Sequence, residues 1–227
     1  MKGLAELEKL QLRILERITK LEEEKGFSTV DSPQLNQEDN AVSTTESRLT
    51  SILGANGVFD FSFKTVPSDY YDRPLETRQE ILNAPSIHHL CKSIVLVNTQ
   101  AHESVTDCSD RNNSKYYVVV VQYSARFNAD TVKTFLYSLN NGKIPKKRFN
   151  LRLAPEEESL KLTGYKRNGV TCIGMKTDIP VILDEAIVKL NPDFFWLGGG
   201  EIDLKLGIRT SQFIDLVKPF IVPCSST

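Results

Sequence analysis

The sequence predicts an α+β fold, a curved mixed β-sheet with flanking helices, preceded by a coiled-coil-like helix at the N-terminus. Three observations predict it. Short apolar segments of strand type outnumber segments of helical type. Strands and helices do not alternate strictly along the chain, as they would in a parallel α/β sheet. The first 26 residues carry apolar side chains in a heptad pattern, which is typical of a coiled-coil helix.

The composition is that of an ordinary globular protein. The 227 residues are 40% hydrophobic and 25% charged, which allows one substantial core and an additional segment. A net charge of −1 gives no overall field that attracts a polyanion, so any nucleic-acid contact must be local. Residues 1–26 are too rich in Glu and Lys for a signal peptide, and no apolar run reaches the roughly 20 residues of a membrane helix. We therefore expect a cytoplasmic protein that has no membrane partner.

The cysteines and histidines do not indicate a metal or redox site. The four cysteines are irregularly spaced and form no C-x-x-C pair. They are Cys91, Cys108, Cys172 and Cys224, and the three histidines are His88, His89 and His102. We expect reduced, buried thiols, no metal site and no cofactor.

Residues 1–26 predict an amphipathic, coiled-coil-like helix. Its seam has spacings of three and four and consists of Leu4, Leu7, Gln11, Ile14, Ile18 and Leu21. Such a helix can pair with another chain or dock on its own domain, and the pattern favours neither. Residues 27–42 have linker composition, so we expect the compact domain at residues 43–227.

The domain is expected to begin with a helix and a strand. Residues 43–46 offer N-cap side chains for a helix that carries Leu49 and Leu53 and stops at Asn56-Gly57. Residues 58–64 alternate between apolar and polar side chains, as in a half-buried strand.

The middle of the chain predicts a helix, a long hairpin and a second helix. Residues 76–83 form the first helix in this prediction, and the strands 91–98 and 116–123 are joined by a long polar loop. Residues 129–139 form the second helix, which stops at Asn141-Gly142.

The last third begins with a basic turn at residues 143–148 and a short strand at 149–153. Residues 154–158 then open a helix, with acidic side chains at its positive end. Four short apolar segments punctuated by turns follow, namely 170–174, 180–184, 194–197 and 220–222.

Four motifs occur in order after residue 162. They are Thr163-Gly164-Tyr165, Asn168-Gly169-Val170-Thr171-Cys172-Ile173-Gly174, Ile179-Pro180-Val181-Ile182-Leu183-Asp184, and Leu197-Gly198-Gly199-Gly200 followed by Asp203-Leu204-Lys205. Together with Lys92, at an expected passage from helix to strand, this series resembles the YbaK/ProX family over roughly residues 43–224. That family is similar to the editing insertion domain of bacterial prolyl-tRNA synthetases.

The resemblance implies a YbaK-like fold and a hydrolase that acts in trans on mischarged tRNA. Its expected substrate is a tRNA, typically the tRNA for proline, that carries a small wrong residue such as alanine or cysteine. The resemblance also implies that the terminal ribose hydroxyl of the tRNA helps to activate water. An N-terminal helix that pairs with another chain could then bind an aminoacyl-tRNA synthetase or a second copy of the protein.

The residues present suit such chemistry. Ester hydrolysis needs donors for a developing oxyanion, and glycine loops allow backbone N–H groups to approach a ligand closely. The catalytic candidates are Lys92, Gly169 and Gly174, and the substrate-binding candidates are Asn168, Thr171, Cys172, Gly198, Gly199, Gly200 and Asp203. Any single glycine is better explained by a tight turn, so the functional interpretation depends on the ordered series of motifs, and Lys92 could extend from a strand edge into solvent. The Asp203 side chain either binds the substrate amino group or caps a turn.

The chain departs from the family pattern in one loop. Many family members have a Gly-x-x-x-Pro motif where this chain has Asn168 and Cys172 at the two ends. Pocket size and amino-acid preference are therefore expected to differ. No sequence-adjacent base supports Cys172 as a nucleophile.

Contacts with tRNA are expected from local basic residues. The candidates are Lys146, Lys147, Arg148, Lys166 and Arg167. Each could neutralise a phosphate, although a basic turn is more often simply solvated. A catalytically silent adaptor that binds tRNA or a synthetase is the alternative function.

Overall fold

The computed structural model of the chain describes Arg17 and residues 44–226. The helix predicted for residues 1–26 and the linker predicted for residues 27–42 lie outside the described residues, apart from Arg17, which is helical and exposed.

Residues 44–226 contain six α-helices and ten strands. The helices are α1 (Thr45–Ala55), α2 (Leu75–Leu82), α3 (Ala129–Leu139), α4 (Glu156–Thr163), α5 (Glu185–Val188) and α6 (Thr210–Val217). Single 3₁₀ turns lie at Tyr70–Asp72, Ile87–His89, Arg111–Asn113 and Lys146–Arg148. The strands are β1 (Phe61–Thr65), β2 (Cys91–Asn98), β3 (Tyr116–Gln122), β4 (Arg126–Phe127), β5 (Leu151–Leu153), β6 (Val181–Asp184), β7 (Phe195–Gly198), β8 (Leu204–Ile208), β9 (Phe220–Val222) and β10 (Ser225–Ser226).

A five-stranded mixed sheet with the order β5-β2-β3-β6-β9 is the centre of the fold. The pairs β5–β2 and β2–β3 are antiparallel, whereas β3–β6 and β6–β9 are parallel. Residues 118–121 of β3 are fully buried, since both faces of the central strand are covered. The predicted α+β fold with a mixed sheet is confirmed.

Two smaller sheets accompany the central one. An antiparallel sheet has the order β1-β8-β7, and β10 pairs with β4. Leu90, just before β2, forms a parallel bridge with Trp196 of β7. This bridge brings the second sheet next to the beginning of β2, where the candidate site lies.

Hydrophobic side chains cover both faces of the central sheet. Val132 and Leu136 of α3 pack on one face, and Leu49 and Leu53 of α1 belong to the cluster on the other. All four side chains are fully buried. Full burial of such a side chain stabilises the fold by about 1.5–3 kcal/mol relative to exposure.

Local sequence signals explain where α1 begins and ends. The Thr44 hydroxyl accepts a hydrogen bond from the Ser47 N–H at 3.1 Å, which caps the helix. Asn56 is the C-cap, and Gly57 follows with a φ of +74°. The structure confirms the predicted stop at Asn56-Gly57.

Candidate functional site

A cavity of about 410 Å³ lies between β2, the beginning of α4 and the loop at residues 167–170. Its lining combines apolar, cationic and acidic side chains. The lining residues are Lys92, Ser93, Ile94, Val95, Tyr123, Leu153, Ala154, Glu156, Ser159, Arg167, Asn168, Val170 and Gly198.

The cavity exists because β5 covers only half of β2. Leu151–Leu153 pair with Leu96–Asn98, and the Ala154 N–H donates to the Val95 carbonyl at 2.9 Å. Beyond that bond the chain turns away into α4. Residues 92–94 therefore form an uncovered strand edge inside the cavity.

The backbone of Ser93 is turned toward this open edge. Val118 of β3 donates its N–H to Pro180 at 3.0 Å, so Val118 and Val120 direct their backbone groups away from β2. Ser93 pairs with Val120 and therefore directs its own N–H and C=O away from β3. The Ser93 N–H is a donor available to a ligand in the cavity.

Lys92 is a half-buried cation on the cavity wall. Its Nζ lies 5.4 Å from the centroid of the Tyr123 ring. Within residues 44–226 no carboxylate lies within ion-pair distance of Lys92. Arg167 also lines the cavity, so two cations face its interior against one acidic residue, Glu156.

The loop at residues 168–174 is anchored at its first end by hydrogen bonds. Asn168 has a φ of +70°, and its carbonyl accepts from the Tyr71 hydroxyl at 2.5 Å. The Gly169 N–H donates to the Lys166 carbonyl at 3.0 Å, and the Gly200 N–H donates to the Gly169 carbonyl at 2.9 Å.

The second end of this loop is held against α1. The Tyr165 hydroxyl donates to the Ile173 carbonyl at 2.6 Å, and Arg48 of α1 donates to the Gly174 carbonyl at 3.0 Å. Gly174 has a φ of +65°, and a Cβ there would lie 2.8 Å from the Arg48 guanidinium. The positive φ favours glycine at this position, and a Cβ would also require the Arg48 side chain to move.

The middle of the loop leaves polar groups without partners. In the part of the chain that the structure describes, no group accepts from the N–H of Val170, Thr171 or Cys172. The Thr171 hydroxyl is fully buried and also has no partner among those residues. Buried N–H groups are almost always paired, so these unpaired donors are unusual, and Val170 is the one of the three residues that lines the cavity.

Gly198 allows the loop to pack directly on β7. A Cβ at Gly198 would lie 2.3 Å from the Val170 carbonyl oxygen. Gly199 and Gly200 do not contact the loop in this way. The Gly199 N–H donates to the Leu204 carbonyl at 2.9 Å, and a Cβ at Gly200 would lie 2.5 Å from the Thr45 methyl carbon.

A buried lysine lies beneath the first end of the loop. Lys205 is 4% exposed, and its ammonium donates to the Tyr71 hydroxyl, to the Ile202 carbonyl at 3.1 Å and to the Asn168 carbonyl at 3.4 Å. Burial lowers the pKa of Lys205 to about 8. Sequence reasoning missed this residue as part of the site.

A cluster of aromatic rings and cations surrounds Lys205. Its Nζ lies 4.5 Å from the centroid of the Tyr71 ring. The Arg78 guanidinium lies 5.7 Å from the Tyr71 ring centroid and 5.5 Å from that of Tyr123. Burial raises the pKa of Tyr71 well above its usual range, so its hydroxyl remains a donor.

The structure brings only some of the predicted site residues together. Lys92, Arg167, Asn168 and Gly198 line the cavity. The predicted residues that do not line it are Lys146, Lys147, Arg148, Lys166, Gly169, Thr171, Cys172, Gly174, Gly199, Gly200 and Asp203. Gly169 and Gly174 anchor the loop, and Thr171 is buried within it.

Cys172 lies behind the cavity wall. Its Sγ is 3.8 Å from the Ser93 hydroxyl, and burial raises the pKa of the thiol to about 12. A protonated, buried thiol is not a nucleophile at neutral pH. His89 is buried and His88 is exposed.

Comparison with protein families decides the identity of this domain. The model of the aminoacyl-tRNA editing domain matches residues 75–216, which include Lys92, the 168–174 loop and Lys205. The chain belongs to the aminoacyl-tRNA editing domain family. A search of curated proteins finds no significant match.

Solved structures share the fold of this editing domain. A candidate trans-editing enzyme for prolyl-tRNA synthetase superposes with a TM-score of 0.62 at 18% identity, covering 82% of this chain and 99% of its own. A scaffold protein for presenting linear epitopes reaches 0.60 at 16% identity, with 82% and 99% covered. A hypothetical protein reaches 0.57 at 16% identity, with 79% and 99% covered. The YbaK-like fold is confirmed, and at such low identities the match shows the fold alone.

The described helices of the editing domain are short or polar. None of them combines the length and apolar character that a membrane crossing needs.

Proposed function

We propose that this editing domain is a cytoplasmic hydrolase that acts in trans and removes a small wrong amino acid from tRNA. Alanine or cysteine on the tRNA for proline is the expected substrate. One observation carries the proposal. Lys92 lines the cavity together with Val170, whose N–H has no partner within residues 44–226.

The proposed reaction is hydrolysis of the ester between the amino acid and the terminal ribose. Water adds to the acyl carbonyl carbon, and negative charge develops on the carbonyl oxygen. The bond from the acyl carbon to the ribose oxygen then breaks, which releases the free amino acid and a tRNA with a free hydroxyl. Preorganised donors that face the developing oxyanion lower this barrier.

The donors we assign to the oxyanion are backbone N–H groups. The Ser93 N–H lies on the uncovered edge of β2, and Val170, whose N–H has no partner within residues 44–226, lines the same cavity. Lys92 contributes a positive charge on the cavity wall, where it attracts the tRNA terminus or the substrate carbonyl.

We assign binding of the substrate α-ammonium to Glu156 rather than to Asp203. Glu156 is the one acidic residue among those that line the cavity, whereas Asp203 lies outside the lining. A carboxylate and an ammonium form a charge-assisted hydrogen bond, which is stronger than a neutral one.

Contact with tRNA phosphates is assigned first to Arg167 and Lys166. Arg167 lines the cavity and Lys166 precedes it in the chain. Lys146–Arg148 form a 3₁₀ turn shortly before β5 and extend the basic surface in this proposal. Each contact adds a salt-dependent contribution to the affinity for tRNA.

A panel of mischarged tRNAs tests the proposed function. The wild-type protein is incubated with alanyl, cysteinyl and seryl esters of the proline tRNA and with the cognate prolyl ester, and ester loss is corrected for spontaneous hydrolysis. We expect cleavage of at least one small wrong ester and survival of the cognate one. A folded protein that binds these tRNAs and cleaves none of them would be an adaptor, and the proposal would be wrong.

A further inference from the structure

We propose that Lys205 is a positioning residue for hydrolysis, since its ammonium holds the Asn168 carbonyl and so the first end of the 168–174 loop. This inference rests on the proposed function. Lys205 does not line the cavity, so it acts on the substrate only through this loop.

The hydrogen bonds form a connected set around one carbonyl. The Tyr71 hydroxyl donates to the Asn168 carbonyl at 2.5 Å, and the Lys205 ammonium donates both to the Tyr71 hydroxyl and to that carbonyl. Each donor therefore supports the same orientation of the peptide between Asn168 and Gly169. The Gly169 carbonyl in turn accepts from Gly200.

The peptide follows a residue in an uncommon backbone conformation. Asn168 has a φ of +70°, in the left-handed region that L residues adopt at an energetic cost. The same residue lines the cavity, and the free N–H groups at 170–172 begin two residues later. Loss of the Lys205 charge weakens the hydrogen bonds to the carbonyl and allows the peptide to turn.

The surroundings of Lys205 do not neutralise it by direct pairing. The Tyr70 and Tyr71 rings and the Arg78 guanidinium face it, and Asp203 is the acidic residue that acts on it. No carboxylate of the described residues lies within ion-pair distance of its ammonium. Burying an unpaired ammonium is costly, which is consistent with a functional role.

Deprotonation of Lys205 is expected to change folding stability and hydrolytic activity in opposite directions as the pH rises. Burial, and to a smaller extent Arg78, lowers its pKa to about 8 from the usual 10.5, while Asp203 opposes this shift. Between these two values the unfolded chain keeps a proton that the folded chain has lost, so stability rises with pH. The ammonium that holds the loop is lost over the same range, so we expect activity to fall. A lysine with only a structural role would show the rise in stability without the fall in activity.

The test measures kcat and KM for the best ester between about pH 6.5 and 9, after subtraction of spontaneous hydrolysis. The variants are Lys205→Arg, Lys205→Met and Tyr71→Phe. Lys64→Met is the control, because Lys64 is the cross-strand partner of Lys205 on β1 and has no hydrogen bond to the loop. Thermal unfolding of each protein over the same pH range verifies folding.

We expect wild-type kcat to decline with an apparent pKa near 8, as does that of Lys64→Met. Lys205→Met should lower kcat at least tenfold at pH 7, with little change in KM and without this inflection. Lys205→Arg should restore part of kcat and remove the alkaline decline, because a guanidinium remains charged. Tyr71→Phe removes one donor of the set without a change of charge, and it should lower kcat several-fold.

Folded Lys205→Met protein with wild-type kcat and the wild-type pH profile would overturn the inference. If the wild-type protein cleaves no ester, the proposed function fails separately. Hydrogen exchange then decides the positioning role, since Lys205→Met should speed exchange of the Gly169 and Gly200 amides at pH 7. Unchanged exchange at those amides would also overturn the inference.

Discussion

Two lysines lie at or near the cavity, and they differ in burial: Lys92 is half-buried and Lys205 is buried. Lys92 lies on the cavity wall with its ammonium beside the Tyr123 ring, where a substrate can reach it. Lys205 is buried, and its hydrogen bonds go to Tyr71 and to backbone carbonyls. We assign contact with substrate to the first and loop positioning to the second.

Gly198 is expected to tolerate no side chain. A Cβ there would lie 2.3 Å from the Val170 carbonyl oxygen, so Gly198→Ala must displace the loop or the strand. We expect a loss of about 1–3 kcal/mol in the free energy of unfolding, together with lower hydrolytic activity. Chemical denaturation and ester hydrolysis measure both effects.

Gly54→Ala is the matched control for that prediction. Gly54 lies in α1 and a Cβ there would meet no atom within 4 Å. This variant should gain about 0.5–1 kcal/mol of stability and keep full activity. Equal behaviour of the two variants would contradict the packing described for Gly198.

Glu156→Gln should weaken the binding of substrates that carry an α-ammonium. Loss of one charge-assisted hydrogen bond costs about 1.5–3 kcal/mol, which corresponds to an increase in KM of roughly tenfold or more. An ester of the matching hydroxy acid has no ammonium and should bind both proteins alike. Glu157→Gln changes the neighbouring carboxylate, which does not line the cavity, and should have no effect. A response of the hydroxy-acid ester to Glu156→Gln would assign the residue another role.

Among the elements, those with strong local signals were predicted with accurate bounds. Residues 91–98 and 129–139 form the predicted strand and helix, because apolar periodicity and the Asn141-Gly142 stop are local features. Residues 170–174 form a loop whose apolar side chains are buried by tertiary packing. β8 and α6 were not predicted. The sequence of β8 alternates between apolar residues and Lys205 or Gly207, but the segment is short and all five of its residues are buried, and α6 has no side-chain cap.

The sequence predicted those residues of the candidate site that lie in the motifs of the family resemblance. Lys92, Asn168 and Gly198 line the cavity, and the resemblance had indicated all three. The contact between Tyr71 and Asn168 joins residues 97 positions apart, and no local pattern reveals it. A lysine between two leucines of an apolar segment was the available signal for Lys205.

Helix α1 is expected to stabilise the second end of the loop. Arg48 donates to the Gly174 carbonyl at 3.0 Å and to the Tyr165 hydroxyl at 2.9 Å. Arg48→Ala should destabilise the domain by about 1 kcal/mol and speed hydrogen exchange at residues 172–175. Thr50→Ala, an exposed change on the same helix, should leave exchange there unaltered. If both variants exchange alike, α1 does not hold the loop.

At the scale of the whole molecule, the predicted boundary at residue 43 can be tested by truncation. Helix α1 begins at Thr45 and contributes Leu49 and Leu53 to the core, so a fragment of residues 43–227 keeps these contacts. We expect this fragment to unfold cooperatively at nearly the temperature of the full chain and to retain ester hydrolysis. An aggregated or molten fragment would contradict the boundary.

The cavity beside Lys92 is proposed as the hydrolytic site, and initial rates on the best mischarged tRNA test this assignment. The rates of the wild-type protein are compared with those of Lys92→Ala and Lys189→Ala. Lys189 is an exposed lysine paired with Glu185 on α5, and it does not line the cavity. We predict that Lys92→Ala lowers kcat/KM about 100-fold or more while Lys189→Ala stays within about twofold of the wild type. Well-folded Lys92→Ala protein that hydrolyses the ester at the wild-type rate would show that the cavity beside Lys92 is not the hydrolytic site.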